Sequence, residues 1–308
     1  MRTPKILPPL TIALIVALAG CHSQKAPPPI EQLSLSQAQE EYIRICKEEF
    51  GLDVKLFSLP NTLWIYLPLA EPYVLIQASA TGPLKLPHAS STYVIKYLDG
   101  MFQPPDFLIQ YDISPESKYI DDKGYSTKFT ESFQKAQNNL FTALSRAYPQ
   151  DKQIVDANGQ PQKLPQFVVI VIADITTGIE TKVLMDFDDY KRALRDAAFS
   201  EEYRKRVIVE QPVGFKAIIG DTYGIHLELH DLTLPEFLAR QIAYRIEFQY
   251  QRSSFPPTEP PEETIRSIAA TVLHYYDYRD FQTLKLLDLA TGQEKIYTRE
   301  ELEEFAEK

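Results

Sequence analysis

The chain has 308 residues, 44% of them hydrophobic and 24% charged, which is enough apolar material for one large core or two modest ones and too much for a disordered tether. Forty-two acidic against 32 basic side chains give a net charge of −10, so the chain repels phosphate backbones and argues against a nucleic-acid partner. Only 11 glycines occur, with no phosphate-cradling or dinucleotide-type glycine pattern, and the two cysteines form no Cys-x-x-Cys pair.

Arg2 and Lys5 precede a run without charge that ends in small residues, the basic, apolar and small order of a secretory signal. From Ile6 to Gly20 the run is 15 residues and holds two prolines, short of the roughly 20 apolar residues of a membrane-spanning helix. Its last residues, Leu18-Ala19-Gly20-Cys21, resemble the lipobox of bacterial lipoproteins. The resemblance covers this signal alone, and it implies cleavage before Cys21 and a lipid on that sulfur. The membrane is then a partner through the lipid on Cys21, and a protein of the cell envelope is the other partner expected. His22, where an Asp would imply retention at the inner membrane, implies the outer membrane facing the periplasm. Loss of residues 1–20 removes Arg2 and Lys5 and takes the net charge to −12, so contact with the bilayer comes from acyl chains and not from a basic surface.

Residues 21–33 read as a Pro-rich stalk, residues 34–252 as an α+β domain, and residues 253–308 as a C-terminal αββα unit that packs into the same domain or beside it. Ser36 with Gln39 is expected to cap a helix carrying Tyr42, Ile45, Cys46 and Phe50 up to Gly51, which makes Cys46 a buried small hydrophobe. Two strands follow, with Leu52, Val54 and Leu56 alternating in one and Leu63, Ile65 and Leu67 in the other, around a Pro60-Asn61 turn. Residues 68–128 show strand patterns at Tyr73–Ala78, Thr92–Leu98 and Phe107–Ile113, and scattered prolines assign several of these to sheet edges.

The helix-hairpin order recurs. Phe129, Phe133, Ala136, Leu140 and Ala147 mark a helix, Phe167–Asp174 and Glu180–Met185 a hairpin about Thr177-Gly178, and Asp186 the cap of a helix beginning with Asp188 and Asp189. Val207–Leu232 reads as two or three strands, and Thr233 with Glu236 caps the next helix. A third unit has its helix at Ile265–Tyr276, a hairpin about Thr291-Gly292, and a Thr298/Glu301 capping box. Asp174–Glu180 aligns with Asp288–Glu294 without a gap. The expected class is α+β, with antiparallel sheets covered by helices and built from repeated αββ units.

The one cluster with ligand-like spacing is His226, Glu228 and His230. On a strand these three project from one face and could hold a divalent metal; the alternative is the solvent face of a half-buried strand. No other cofactor is indicated. The aromatic run His274–Phe281 suits either an interface or a helix end packed in the core, and Trp64 either a stacking platform or core. No nucleophile, base and orienting acid emerge, and no Gly-x-Ser-x-Gly occurs. The expected role is therefore non-enzymatic binding, scaffolding or assembly on the envelope. A metal-dependent hydrolase using the His226 cluster and a solute-capture lipoprotein are the alternatives.

Overall fold

The computed structural model describes residues 32–71, 74–78, 89–100, 103–117, 125–149, 152–175, 179–210, 229–252 and 259–306. β1 (Gln32–Ser34) leads into α1 (Leu35–Arg44), where the Ser34 hydroxyl accepts from the Gln37 N–H and Gln37 Oε1 accepts from the Ser34 N–H. The capping box thus stands two residues before the expected Ser36/Gln39 pair. An earlier start lets Leu35 pack against the core and keeps Ala38, Tyr42 and Ile45 on one buried stripe. A π-helical turn (Ile45–Glu49) extends α1, and Gly51, at φ +69°, supplies the left-handed backbone just beyond it.

The hairpin of β2 (Lys55–Ser58) and β3 (Thr62–Leu69) is followed by β4 (Val74–Ala78), β5 (Ala89–Gly100), β6 (Gln103–Ser117) and β7 (Tyr125–Phe129). Thr130 caps α2 (Glu131–Ala147), and β8 (Gln153–Val155) leads to the hairpin of β9 (Phe167–Asp174) and β10 (Ile179–Asp186), whose turn lies outside the described residues. After α3 (Phe187–Arg195), α4 (Phe199–Arg206) and β11 (Ile208–Glu210) come α5 (Leu234–Glu247), α6 (Pro261–Tyr275), the hairpin of β12 (Thr283–Asp288) and β13 (Glu294–Thr298), and α7 (Arg299–Ala306). The class is α+β.

Two larger sheets organise the molecule, in the orders β11-β10-β9-β3-β2 and β13-β12-β6-β5. Each joins two antiparallel hairpins by one parallel pair, with Leu69 of β3 opposite Asp174 of β9 and Tyr111 of β6 opposite Asp288 of β12. The likeness extends to single bonds. The Ile175 N–H donates to the Leu69 carbonyl at 3.0 Å, and the Leu289 N–H donates to the Tyr111 carbonyl at 2.7 Å. At the other end, the first residues of α3 and α7, Phe187 and Arg299, donate to the carbonyls of Gln166 and Gln282. The segments starting at Asp174 and Asp288 therefore occupy equivalent places in two similarly wound sheets.

The first core lies between α1, α2 and one face of the larger sheet, through Leu63, Ile65, Leu67, Val168, Ile170 and Ile172. The opposite face, through Trp64, Phe167, Val169 and Val171, belongs to a second core that also takes in α5, α6 and the inward residues Phe107, Ile109, Leu284 and Leu286 of the smaller sheet. Ile170 and Ile172 thus match Leu284 and Leu286 in register, each pair facing helices. Because α5 and α6 serve both sheets, every residue of β9 is buried, and residues on both sides of position 253 share one core. Among the described residues, both cores draw on positions from Leu33 onward.

The prolines of β6 do not place it at an edge. It pairs with β12 over Phe107–Tyr111 only, and Pro104, Pro105 and Pro115 fall beyond that stretch. The prolines also coincide with the two irregularities in pairing with β5, between Leu98 and Gly100 and between Ala89 and Ser91, where a missing N–H removes no regular ladder bond.

Candidate functional site

A groove of about 470 Å³ with an apolar lining lies on the α2 side of the larger sheet. Its floor is Val183 of β10 with Val207 and Val209 at β11. One wall is Gln137, Phe141, Thr142 and Ser145 of α2, and the other is Tyr190 and Leu194 of α3 with Tyr203 and Arg204 of α4. Local sequence shapes it, because α3 stops at Asp196, whose carboxylate accepts from the Ala198 N–H and turns the chain into α4 instead of letting α3 lie along the sheet.

The hydroxyls around the groove are directed elsewhere. Tyr190 donates to the Phe141 carbonyl at 2.9 Å, Tyr203 to Met185 Sδ at 2.9 Å, Ser145 to the Thr142 carbonyl and Thr142 to the Asn138 carbonyl. Burial pushes both tyrosine phenols well above their ordinary pKa, which keeps them neutral. What remains is an apolar surface. Leu194 is 49% exposed, and Arg204 and Gln137 are the lining polar side chains without a partner among the described residues. Such a site can hold an apolar chain, and it offers no acid-base pair.

Arg206, one turn of chain from the groove, is committed to structure. Its guanidinium pairs with Asp189 at 3.3 Å and Glu202 at 3.1 Å and lies over the rings of Tyr275 and Tyr276 at 4.9 and 5.2 Å. Tyr276 donates to Asp189 at 3.0 Å, and Gln241 of α5 reaches the Arg206 carbonyl. This cluster fastens α3 and α4 to α5 and α6.

Of the three residues expected to bind metal, His226 and Glu228 lie outside the described residues, as does Cys21, the expected site of the lipid. His230 is described, in an irregular segment and not on a strand, with its side chain 53% exposed and Nε2 3.0 Å from Glu236 Oε1. The strand reading fails there because the segment bonds to another element. Asp231 accepts from the Asn61 N–H and Nδ2, the His230 carbonyl accepts from Trp64 Nε1, and the Leu232 N–H donates to Thr62 Oγ1. Glu236 itself caps α5. Burial raises its pKa, but the Thr233 N–H and hydroxyl and His230 outweigh that and hold it below the ordinary value. Among the described residues no group of three or more His, Cys, Asp or Glu could hold a metal ion.

Other residues singled out by the sequence are structural. Trp64 is 7% exposed in the second core. Tyr278 stacks on Phe281 with centroids 6.2 Å apart, and both meet Phe107 edge-on, so this part of the aromatic run is packed inward. Asp186 Oδ1 accepts from the N–H groups of Asp188 and Asp189, a helix cap and not a cation site. Cys46 is fully buried, and burial pushes its thiol up to about 11. The groove was missed by sequence reasoning, although the pairs Tyr190/Leu194 and Tyr203/Val207 stand at i, i+4 in otherwise charged segments. Their convergence needs the turn at Asp196.

No family model, no curated protein and no solved structure matches the chain. Among the described residues no helix is long and apolar enough to cross a membrane.

Proposed function

We propose that the protein is a lipid-anchored component of a bacterial cell envelope with a non-enzymatic binding or scaffolding role. The observation that carries this reading is the Leu18-Ala19-Gly20-Cys21 sequence closing an uncharged apolar run behind Arg2 and Lys5. Acylation at Cys21 would place the Pro-rich stalk of residues 21–33 between the bilayer and the folded domain. The apolar groove, with its hydroxyls bonded inward, supports capture of a ligand over chemistry on one.

The test is metabolic labelling with an alkyne-bearing palmitate in a bacterial host, comparing the wild type with Cys21→Ser. Label and membrane fractionation in the wild type, both lost in the variant, are expected. An unlabelled wild type with an intact amino terminus overturns the anchor, and measured hydrolytic turnover by the purified protein overturns the non-enzymatic role.

A further inference from the structure

We infer that the groove between α2 and the α3–α4 pair binds one long-chain fatty acid, with the acyl chain along the sheet and the carboxylate at Arg204. This names a ligand for the binding role proposed above and rests on that role, but not on acylation of Cys21.

Size comes first. An apolar cavity of about 150 Å³ accommodates the six carbons of benzene, so the space of about 470 Å³ scales to somewhat under 20 methylene-sized groups. That is a single acyl chain, well short of a two-chain phospholipid. Lining chemistry agrees, because Phe141, Val183, Leu194, Val207 and Val209 present carbon, and the tyrosine, serine and threonine hydroxyls donate away from the space. A chain in this site would leave no hydroxyl without a partner, which is the usual penalty of placing hydrocarbon against polar groups.

Charge selects the head group. In a chain of net charge −10, the ionic group lining this groove is a cation, Arg204, and it has no carboxylate partner among the described residues. Its neighbour Arg206 is saturated by Asp189 and Glu202 and turned toward the Tyr275 and Tyr276 rings. An exposed guanidinium beside an otherwise apolar opening suits one carboxylate, which it can hold through two parallel hydrogen bonds.

The experiment uses residues 22–308, which contain every described residue of both cores, and titrates them with sodium palmitate below its critical micelle concentration, read by isothermal calorimetry and native mass spectrometry. One palmitate per chain is expected, with affinity rising about two- to fourfold per added methylene from decanoate to palmitate. Hexadecanol and Arg204→Ala should each cost about threefold, and Arg204→Glu about tenfold. Ser145→Trp, which fills the groove from a half-buried position on α2, and Leu194→Asp, which charges its wall, should each weaken binding by about tenfold or more while melting like the wild type.

Four results of this titration overturn the proposal. These are no uptake by the wild type, a flat chain-length series, palmitate binding that Ser145→Trp and Leu194→Asp leave unchanged, or tighter binding of lysophosphatidylglycerol than of palmitate. The acylated full-length protein is titrated in parallel. Equal palmitate uptake supports the free fatty acid as occupant, whereas uptake only by residues 22–308 gives the groove to the anchor's own chain and overturns the assignment. Failure of palmitate binding leaves labelling of Cys21 untouched, and failure of labelling leaves palmitate binding untouched.

Discussion

Replacing Asp186 with Asn separates the cost of a buried charge from the value of a helix cap. The carboxyl is 9% exposed, and its Oδ1 accepts from two N–H groups at the start of α3 at 2.9 and 3.0 Å. Burial pushes its pKa from 3.8 to about 6, helped by the neighbouring carboxylates of Asp189 and Asp188 and opposed by the two N–H donors. Between those values the folded chain keeps a proton that the unfolded chain has released, so stability declines as pH rises through the window. At about 1.36 kcal/mol per pH unit the whole window is worth about 3 kcal/mol, fully present below pH 3.8 and gone above about pH 6. Asn keeps the acceptor oxygen and carries no charge. Asp186→Asn is therefore expected to match the wild type near pH 4 and to exceed it by about 3 kcal/mol at pH 8, or about 5 °C in Tm for a chain of this length. Asp186→Ala, lacking the cap, should lie about 1 kcal/mol below Asp186→Asn at every pH. Scanning calorimetry from pH 4 to 8 reads the difference directly, with all other titrations common to both chains. A difference independent of pH, or an Asn variant less stable at pH 8, would refute the reasoning.

Ile170→Ala, in a strand buried on both faces, should cost about 2–5 kcal/mol in chemical denaturation, whereas Leu194→Ala on the exposed groove wall should cost less than about 1 kcal/mol. Arg206 is 11% exposed and Asp189 13%, so Arg206→Ala strands a buried carboxylate and should destabilise by about 3 kcal/mol or more, seen as a lowered denaturation midpoint. Gly292 sits at φ +68° with open space where a Cβ would stand, so Gly292→Ala should cost about 1 kcal/mol of backbone strain and nothing from crowding, again by denaturation. Cys46 should react with a disulfide reagent at neutral pH only after unfolding; stoichiometric labelling of the native protein would contradict its burial and raised pKa.

Much of the local structure is legible in the residues themselves. The caps at Asp186, Thr233 and Thr298, the hairpin about Gly292 and the helical stripe through Phe133, Ala136 and Leu140 each depend on groups within a few positions of one another. Even a local signal can slip, because the cap expected at Ser36 stands at Ser34, where the earlier start brings Leu35 and Ala38 against the core. The unbroken apolar run Phe167–Ala173 also points to burial on both faces.

The function-bearing features divide along the same line. Composition, the acidic balance and the signal-like residues up to Cys21 are properties of sequence alone, since charge, hydropathy and residue order need no partner in space. Tertiary structure alone decided that β3 meets β9 and β6 meets β12 in parallel, that α5 and α6 serve two sheets, and that Phe141, Tyr190, Tyr203 and Val209 converge on one groove. Those contacts join residues far apart along the chain. Their free energy comes from apolar area buried between whole elements, and hydrophobic spacing specifies which face of an element is buried but not which element covers it.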